Sequence, residues 1–387
     1  MGCIILVVPA IRSTVASLLA QPAEAVLLKP QEIVYHPPAL PEYTSLMPIA
    51  KKIPLPPAGA LYHGVYPGDT RGSQDGVQQS DLAAYQRAAG KSAAWVYFSN
   101  EWSISRRFPL ETATWIRKAG QVPFIRLMLR SKIGLWEKEP TFTLANIIRG
   151  DFDDDLNRWA QDARSFGTPL ILEYGTEVNG DWFSWNGRWN GAFSLFNFGH
   201  QDIPDGAQRF RVAYQHIISI FRREGASNIT WVFHANGQDY PSVFWNRMEA
   251  YYPGDDWIDW LGVSIYGAQK PTDLTCDSFS ATMDSAYERL AALSPGKPIV
   301  LLEFGVTNGN PLCRQADWVK SALQDITSMR WPRLIGFSWW NEGWPNDNDP
   351  THNTSMRVQD NPPLAALFRH FVAANQNILS HLVRPES

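Results

Sequence analysis

Positions 173 to 189 read Glu173-Tyr174-Gly175-Thr176-Glu177-Val178-Asn179-Gly180-Asp181-Trp182-Phe183-Ser184-Trp185-Asn186-Gly187-Arg188-Trp189. A carboxylate at Glu177, an amide at Asn179 and indoles at Trp182, Trp185 and Trp189 crowd into one short stretch. Far along the chain, Ile299-Val300-Leu301-Leu302 runs into Glu303-Phe304-Gly305, so a second carboxylate ends an apolar run. A carboxylate there is costly to bury unless it is paired or put to work. Neither signal is specific alone, because Asn179-Gly180 is also ordinary turn chemistry and Glu303 could partner a buried Arg. Together, two carboxyl groups facing each other can serve as proton donor and as nucleophile or base, the division of labour that cleavage of a glycosidic bond requires. Indole faces beside them would give sugar rings a flat apolar surface to stack on.

Groups so far apart in sequence need a scaffold that repeats. After Gly59, short β-rich runs alternate with longer amphipathic ones, and the joins share one chemistry. Helical stretches over 80–89, 110–119, 151–166 and 207–224 each stop at a glycine (Gly90, Gly120, Gly167, Gly225), and an apolar run follows within a few residues. Glycine in the left-handed conformation ends a helix, and a short loop then delivers a buried parallel strand. Ser80-Asp81 and Asp151 are the expected N-caps, and Asp153-Asp154-Asp155 reads as an acidic first turn. Strands are expected at 61–66, 93–98, 123–128, 170–174, 229–234, 260–265, 299–302 and 334–339. Eight strands with intervening helices and no glycine-rich dinucleotide fingerprint predict an α/β protein whose sheet closes into a (β/α)8 TIM barrel. Chemistry then sits at the strand ends, which places Glu177 after strand 4 and Glu303 at the end of strand 7.

Other strand ends supply supporting groups: Glu101-Trp102 after strand 2, Arg126 within strand 3, His234 on strand 5, Tyr266 after strand 6 and Trp340-Asn341-Glu342 after strand 8. Tyr266 would hydrogen-bond Glu303 and Arg126 would hold it ionised electrostatically. Trp182, Trp185, Trp189 and Trp340 are expected to face substrate, whereas Trp231, Trp257 and Trp260 lie in apolar runs and read as core. Glu101 and Glu342 compete for the catalytic roles, since each also follows a strand. His63 and His234 have no second ligand at metal spacing, so they read as hydrogen-bonded or subsite residues and no metal or cofactor is expected.

Composition narrows the class. Thirty-four Lys and Arg against 38 Asp and Glu give a net charge of −4 without a block of like charge, which argues against capture of nucleic acid or anionic lipid. The aromatic content is high, with 17 Trp, 13 Tyr and 19 Phe, more than core packing demands. Cys3, Cys276 and Cys313 are too few for a disulfide scaffold; Cys276 and Cys313 fall on successive loops, where one disulfide or two free thiols are both open. Residues 3–11 form an apolar run and Ala23-Glu24-Ala25 is a small-x-small site, so 1–25 read as a secretory leader and the product as secreted or periplasmic, though no Lys or Arg precedes the run and Arg12 keeps it too short to span a membrane. Residues 26–58, with eight prolines from Pro30 to Pro57, read as an extended linker or strap, and 59–380 as the barrel domain.

The phrase Glu177-Val178-Asn179-Gly180-Asp181-Trp182-Phe183-Ser184-Trp185, with Glu303-Phe304-Gly305, resembles glycoside hydrolase family 26, the family of β-mannanases and their relatives. The resemblance covers 61 to about 371. It implies Glu177 as general acid/base, Glu303 as nucleophile, Tyr266 beside the nucleophile, Trp182 as a subsite residue, and cleavage of internal β-linkages of a polysaccharide, most often a β-mannan, with retention. One departure is present: the family usually has His just before the acid/base, where this chain has Thr176. A β-1,3- or mixed-linkage glucan or a β-1,3-xylan is the alternative substrate, and a non-catalytic carbohydrate-binding barrel the alternative from another class. A monomer is the expected state.

Overall fold

The structure is a computed structural model, and it describes residues 52–69 and 74–382. The expected leader and most of the proline-rich segment lie outside the described residues. Eight strands form the ring: β1 (Leu61–Tyr66), β2 (Trp95–Glu101), β3 (Val122–Met128), β4 (Leu170–Tyr174), β5 (Ile229–Asn236), β6 (Trp260–Tyr266), β7 (Ile299–Gly305) and β8 (Leu334–Trp340). Each pairs in parallel with the next, and β8 pairs back onto β1 through Tyr62–Gly336 to Tyr66–Trp340. The sheet is therefore a closed (β/α)8 barrel, as the strand count predicts. Helices at Gln79–Ala89, Leu110–Lys118, Asp153–Phe166, Asp205–Arg223, Phe279–Leu293 and Gln315–Thr327 cover connections between strands. The β5–β6 connection differs, holding the short 3-10 turn Phe244–Asn246 and the single α-helical turn Met248–Tyr251.

Strand burial explains the sequence pattern. With helices outside and side chains filling the inside, the strands are buried on both faces and read as continuous apolar runs. Trp95 of β2 and Trp260 of β6 meet across the interior with ring centres 6.1 Å apart, and Trp95 Nε1 donates to Ser338 Oγ at 2.7 Å. The barrel interior is thus a packed core, and the strand ends at its mouth are where a ligand would be met.

Two local expectations change. The helices Gln79–Ala89 and Asp153–Phe166 have Gln78 and Phe152 at their N-cap positions with no side-chain capping bond, so Ser80-Asp81 and Asp151 are not the caps. Asp81 and Asp153 to Asp155 lie in the first turns instead, where a carboxylate complements the helix dipole. Strand β7 also runs three residues past the expected Leu302. Its pairing with β6 and β8 shifts register around Leu302 and Glu303, a β-bulge that re-aims the side chain there. Period-2 reading cannot find such a bulge, because the extra residue leaves no mark on an all-apolar run.

At the other end of the barrel, Ile53 is buried and its N–H donates to Thr230 Oγ1 at 3.1 Å, while Tyr62 Oη donates to the Pro54 carbonyl at 3.1 Å. Cys276 and Cys313 form a disulfide that ties the loop after β6 to the loop after β7.

Candidate active site

The loop after β4 builds one half of the site. Gly175 takes φ 76° and Glu177 φ 49°, so the chain turns sharply out of the strand, and the Gly180 N–H donates to the Glu177 carbonyl at 2.7 Å. A non-glycine residue in the left-handed region is uncommon and favours a site that holds it there. The turn folds Trp182 back so that its Nε1 donates to Glu177 Oε2 at 2.9 Å. Gly180 permits this approach: a Cβ there would lie 2.2 Å from the Trp182 ring. Asn179 fixes the loop from below, with Nδ2 donating to the Asn236 carbonyl and to Asp239 Oδ1, and Oδ1 accepting from Asn236 N–H at 2.7 Å.

Strands β6 and β7 build the other half. Tyr266 Oη donates to Glu303 Oε2 at 2.9 Å, and Arg126 of β3 lies 3.8 Å from Glu303 Oε1. Glu177, Glu303, Arg126, Tyr266, Trp182 and Trp340 all line one cleft of about 1180 Å³ at the C-terminal ends of the strands. Burial, and next the Glu303 charge, push the Glu177 carboxyl up to about 7, so it keeps its proton to a far higher pH than an ordinary carboxyl does. Trp340 stacks on Tyr66 with ring centres 4.0 Å apart, and the Arg126 guanidinium lies 5.3 Å from the Trp340 ring.

Five expected substrate contacts are placed elsewhere. Trp102 is buried edge-on to Phe142 and Phe152, which come from the connection after β3. Trp185 is also core: it stacks on Phe183 at 4.6 Å and donates Nε1 to the Thr176 carbonyl at 2.8 Å. Asn179 is spent on the loop bonds above. His234 is fully buried between Glu173 and Ser264, at 2.9 and 2.6 Å, and does not line the cleft. Trp189 donates Nε1 to the Asp181 carbonyl and lies under Arg188. Trp231 and Trp260 are core as expected. Glu101 is sealed by Arg130, which donates from both Nε and Nη2. Glu342 does line the cleft, and burial pushes its carboxyl up to about 7.

Sequence reasoning passed over other groups. Trp136 and Tyr240 extend the aromatic wall beside Trp182: the Trp136 N–H donates to the Trp182 carbonyl at 2.8 Å, and Tyr240 and Trp182 have ring centres 5.8 Å apart. Both come from loops without periodicity, so nothing local marks them. Glu173 had the same signal as Glu303, a charge inside an apolar strand, and lies fully buried under the cleft floor.

An eight-stranded parallel barrel with two carboxylates and an aromatic wall at its mouth has the architecture of a barrel glycosidase. The chain belongs to glycosyl hydrolase family 26, whose model matches residues 139–356. It is 25% identical over 312 residues to endoglucanase H of Acetivibrio thermocellus, covering 79% of this chain and 30% of that protein. It is 23% identical over 185 residues to a mannan endo-1,4-beta-mannosidase of Bacillus subtilis, covering 48% of this chain and 42% of that protein. This chain thus spans well under half the length of these curated relatives. Among solved structures, an endo-beta-1,4-mannanase of Cellulomonas fimi superposes with a TM-score of 0.59 at 19% identity, covering 83% of this chain and 72% of that one, a likeness of fold.

Proposed function

We propose that this chain is a retaining endo-β-glycosidase acting on a β-mannan, with residues 59–380 as its catalytic domain. The observation that carries the reading is the pair at the ends of β4 and β7. The Glu177 carboxyl is pushed up to about 7 beside a Trp182 donor, and Glu303 is held by Tyr266 and Arg126 in the same cleft.

In the first step Glu303 attacks the anomeric carbon, the glycosidic C–O bond breaks, and Glu177 gives its proton to the leaving oxygen. A glycosyl ester on Glu303 results. In the second step water attacks the same carbon, Glu177 takes the water proton, and the ester bond breaks to release Glu303. The Glu303 charge that raises the Glu177 carboxyl is absent from the ester, so Glu177 is an acid in the first step and a base in the second. Trp182, Tyr240 and Trp136 give the cleft a stacking wall for sugar rings, and Trp340 supplies a second aromatic surface beside Arg126.

A mixed-linkage or other β-glucan is the second reading, favoured by one observation. The match to endoglucanase H runs over 79% of this chain, against 48% for the Bacillus subtilis mannosidase. Export to an oxidising compartment fits the Cys276–Cys313 disulfide, and we take the working form as a monomer.

The test is reducing-sugar release from mannan, glucomannan, lichenan, a β-1,3-glucan and β-1,3-xylan, with Glu177→Ala and Glu303→Ala beside the parent. Release from mannan that both variants lose, with the β-anomer formed first by NMR, is the expected result. Release confined to lichenan moves the substrate to a β-glucan. Binding without turnover in the parent would overturn the enzyme reading in favour of a carbohydrate-binding barrel.

A further inference from the structure

Beneath the cleft floor lies a carboxylate that the double displacement does not use. Glu173 on β4 has no exposed surface, and donors surround it: the Tyr97 and Thr176 hydroxyls each lie 2.6 Å from Oε1, His234 Nδ1 lies 2.9 Å from Oε2, and Arg126 Nε lies 3.7 Å from Oε1. Arg126 can only donate, and Thr176, whose oxygen already accepts from Arg126, turns its proton to Glu173, so the surroundings favour the anion. An anion without water needs a cation in contact. Arg126 cannot serve Glu173 alone, because it is shared with Glu303 at 3.8 Å and donates Nε to Thr176 Oγ1 at 3.2 Å. With Glu177 protonated, two buried anions, Glu173 and Glu303, stand against one guanidinium. The set is neutral only when His234 carries a second proton.

We propose that Glu173 and His234 form a buried ion pair that positions both cleft carboxylates, Glu173 acting toward Glu303 through Tyr97, Thr176 and Arg126, and the imidazolium acting toward Glu177 through Ser264. The proposal rests on the glycosidase reading of Glu177 and Glu303. Each link is a contact. Tyr97 Oη donates to Glu173 and lies 3.4 Å from Glu303 Oε1, while Thr176 gives its proton to Glu173 and accepts from Arg126. On the other side, His234 Nε2 lies 2.6 Å from Ser264 Oγ, and Ser264 lines the cleft beside Glu177. A doubly protonated ring donates at both nitrogens, which leaves the Ser264 proton free to reach the Glu177 carboxyl. The role also explains Thr176: a hydroxyl can accept from Arg126 and donate to Glu173 at once.

Every group facing His234 is accounted for. Glu173 comes from β4, Tyr97 from β2, Ser264 from β6, Glu303 from β7, Glu177 from the loop after β4, and Arg126 from β3 stands behind Glu173. Burial opposes the imidazolium, but Glu173 foremost, then Glu303 and Glu177, outweigh it and raise the His234 pKa. Neither Glu173 nor His234 lines the cleft, so both are positioning residues.

A titration of the His234 ring nitrogens by NMR in the full chain reads the pair without any turnover. The ring should keep its second proton to a higher pH in the parent than in Glu173→Gln, where the carboxylate that favours the imidazolium is gone. A neutral ring in the parent, or a titration unchanged in Glu173→Gln, overturns the proposal. The second readout is kinetic. Glu173→Gln and His234→Gln should each lower kcat by about 10–100-fold, the scale of lost outer-layer partners at other sites, with KM for an oligosaccharide changed less than about twofold. Both should move the alkaline limb of kcat/KM upward, because the cation beside Ser264 is lost. The double variant should lose no more than the worse single one, since the two act as a unit. Additive losses, or an unmoved limb, overturn it. Should a variant fail to fold, the parent titration alone decides the ion pair. Should Glu177→Ala and Glu303→Ala keep full activity, the glycosidase reading falls while the titration still judges Glu173 and His234.

Discussion

The exits of β2 and β4 offer the same ingredients and put them to opposite uses. Each presents a glutamate and a nearby tryptophan: Glu101 and Trp102 in one, Glu177 and Trp182 in the other. After β2, Arg130 closes on Glu101 from two nitrogens, and Trp102 turns into a nest of Phe142 and Phe152. After β4, no arginine among the described residues contacts Glu177 that closely. Its carboxyl faces the cleft, its neighbour is another carboxylate, and its tryptophan donates to it from the cleft wall. A strand exit offers a carboxylate to chemistry, and the groups that reach it decide whether it becomes an acid or half of an ion pair.

The sharpest way to break this comparison is to remove each glutamate in turn. Glu303→Ala should take turnover below detection, and Glu177→Ala should lower kcat by about 10²–10⁴, the range for a general acid/base. Glu101→Ala should leave the folded protein turning over at nearly the parental rate, measured on the same glycan. A Glu101→Ala variant as inactive as Glu177→Ala would mean that the two exits had been assigned the wrong way round.

The next effect is on stability. Removing Glu101 strands Arg130 in a buried place, so Glu101→Ala should cost about 3–5 kcal/mol of unfolding free energy. Denaturant unfolding followed by tryptophan fluorescence measures it. Glu177→Ala removes a carboxyl whose anion burial and the Glu303 charge both disfavour, and should cost far less in the same assay.

The pH profile separates the exits more finely. In the proposed mechanism Glu177 must be protonated to act as the acid, and its carboxyl sits at about 7, so kcat/KM should fall as pH rises through that value. Trp182→Phe removes a donor to the ionised form, which makes the anion less favourable and should move the alkaline limb upward. The smallest effect belongs to Trp102→Phe. It should leave KM and the alkaline limb unchanged and lower the melting temperature by only a few degrees, and a raised KM would place Trp102 in the substrate path after all.

Much of the fold was legible because barrel strands have no solvent face and their helices end in glycine. Runs such as Leu170–Tyr174 and Leu61–Tyr66 could be read to the residue, and Gly90 and Gly167 take the left-handed conformation their positions imply. Glu177 and Glu303 stood out because a carboxylate after an apolar strand needs a reason. Trp102 and Trp185 looked like platforms for the same cause as Trp182. Sequence gives spacing along the chain, but the ring's direction depends on what packs behind it.

The amino-acid sequence by itself determined the repeating strand and helix, the closed ring and the two strand ends that carry carboxylates. Those follow from local periodicity and from which side chains tolerate burial. Only the tertiary structure decided that Arg130 neutralises Glu101, that a bulge turns Glu303 beside Tyr266, and that Glu173 meets His234, 61 residues away, in the dry interior. The energy of a charge is set by the few ångströms around it, and in a barrel those neighbours arrive from every other strand.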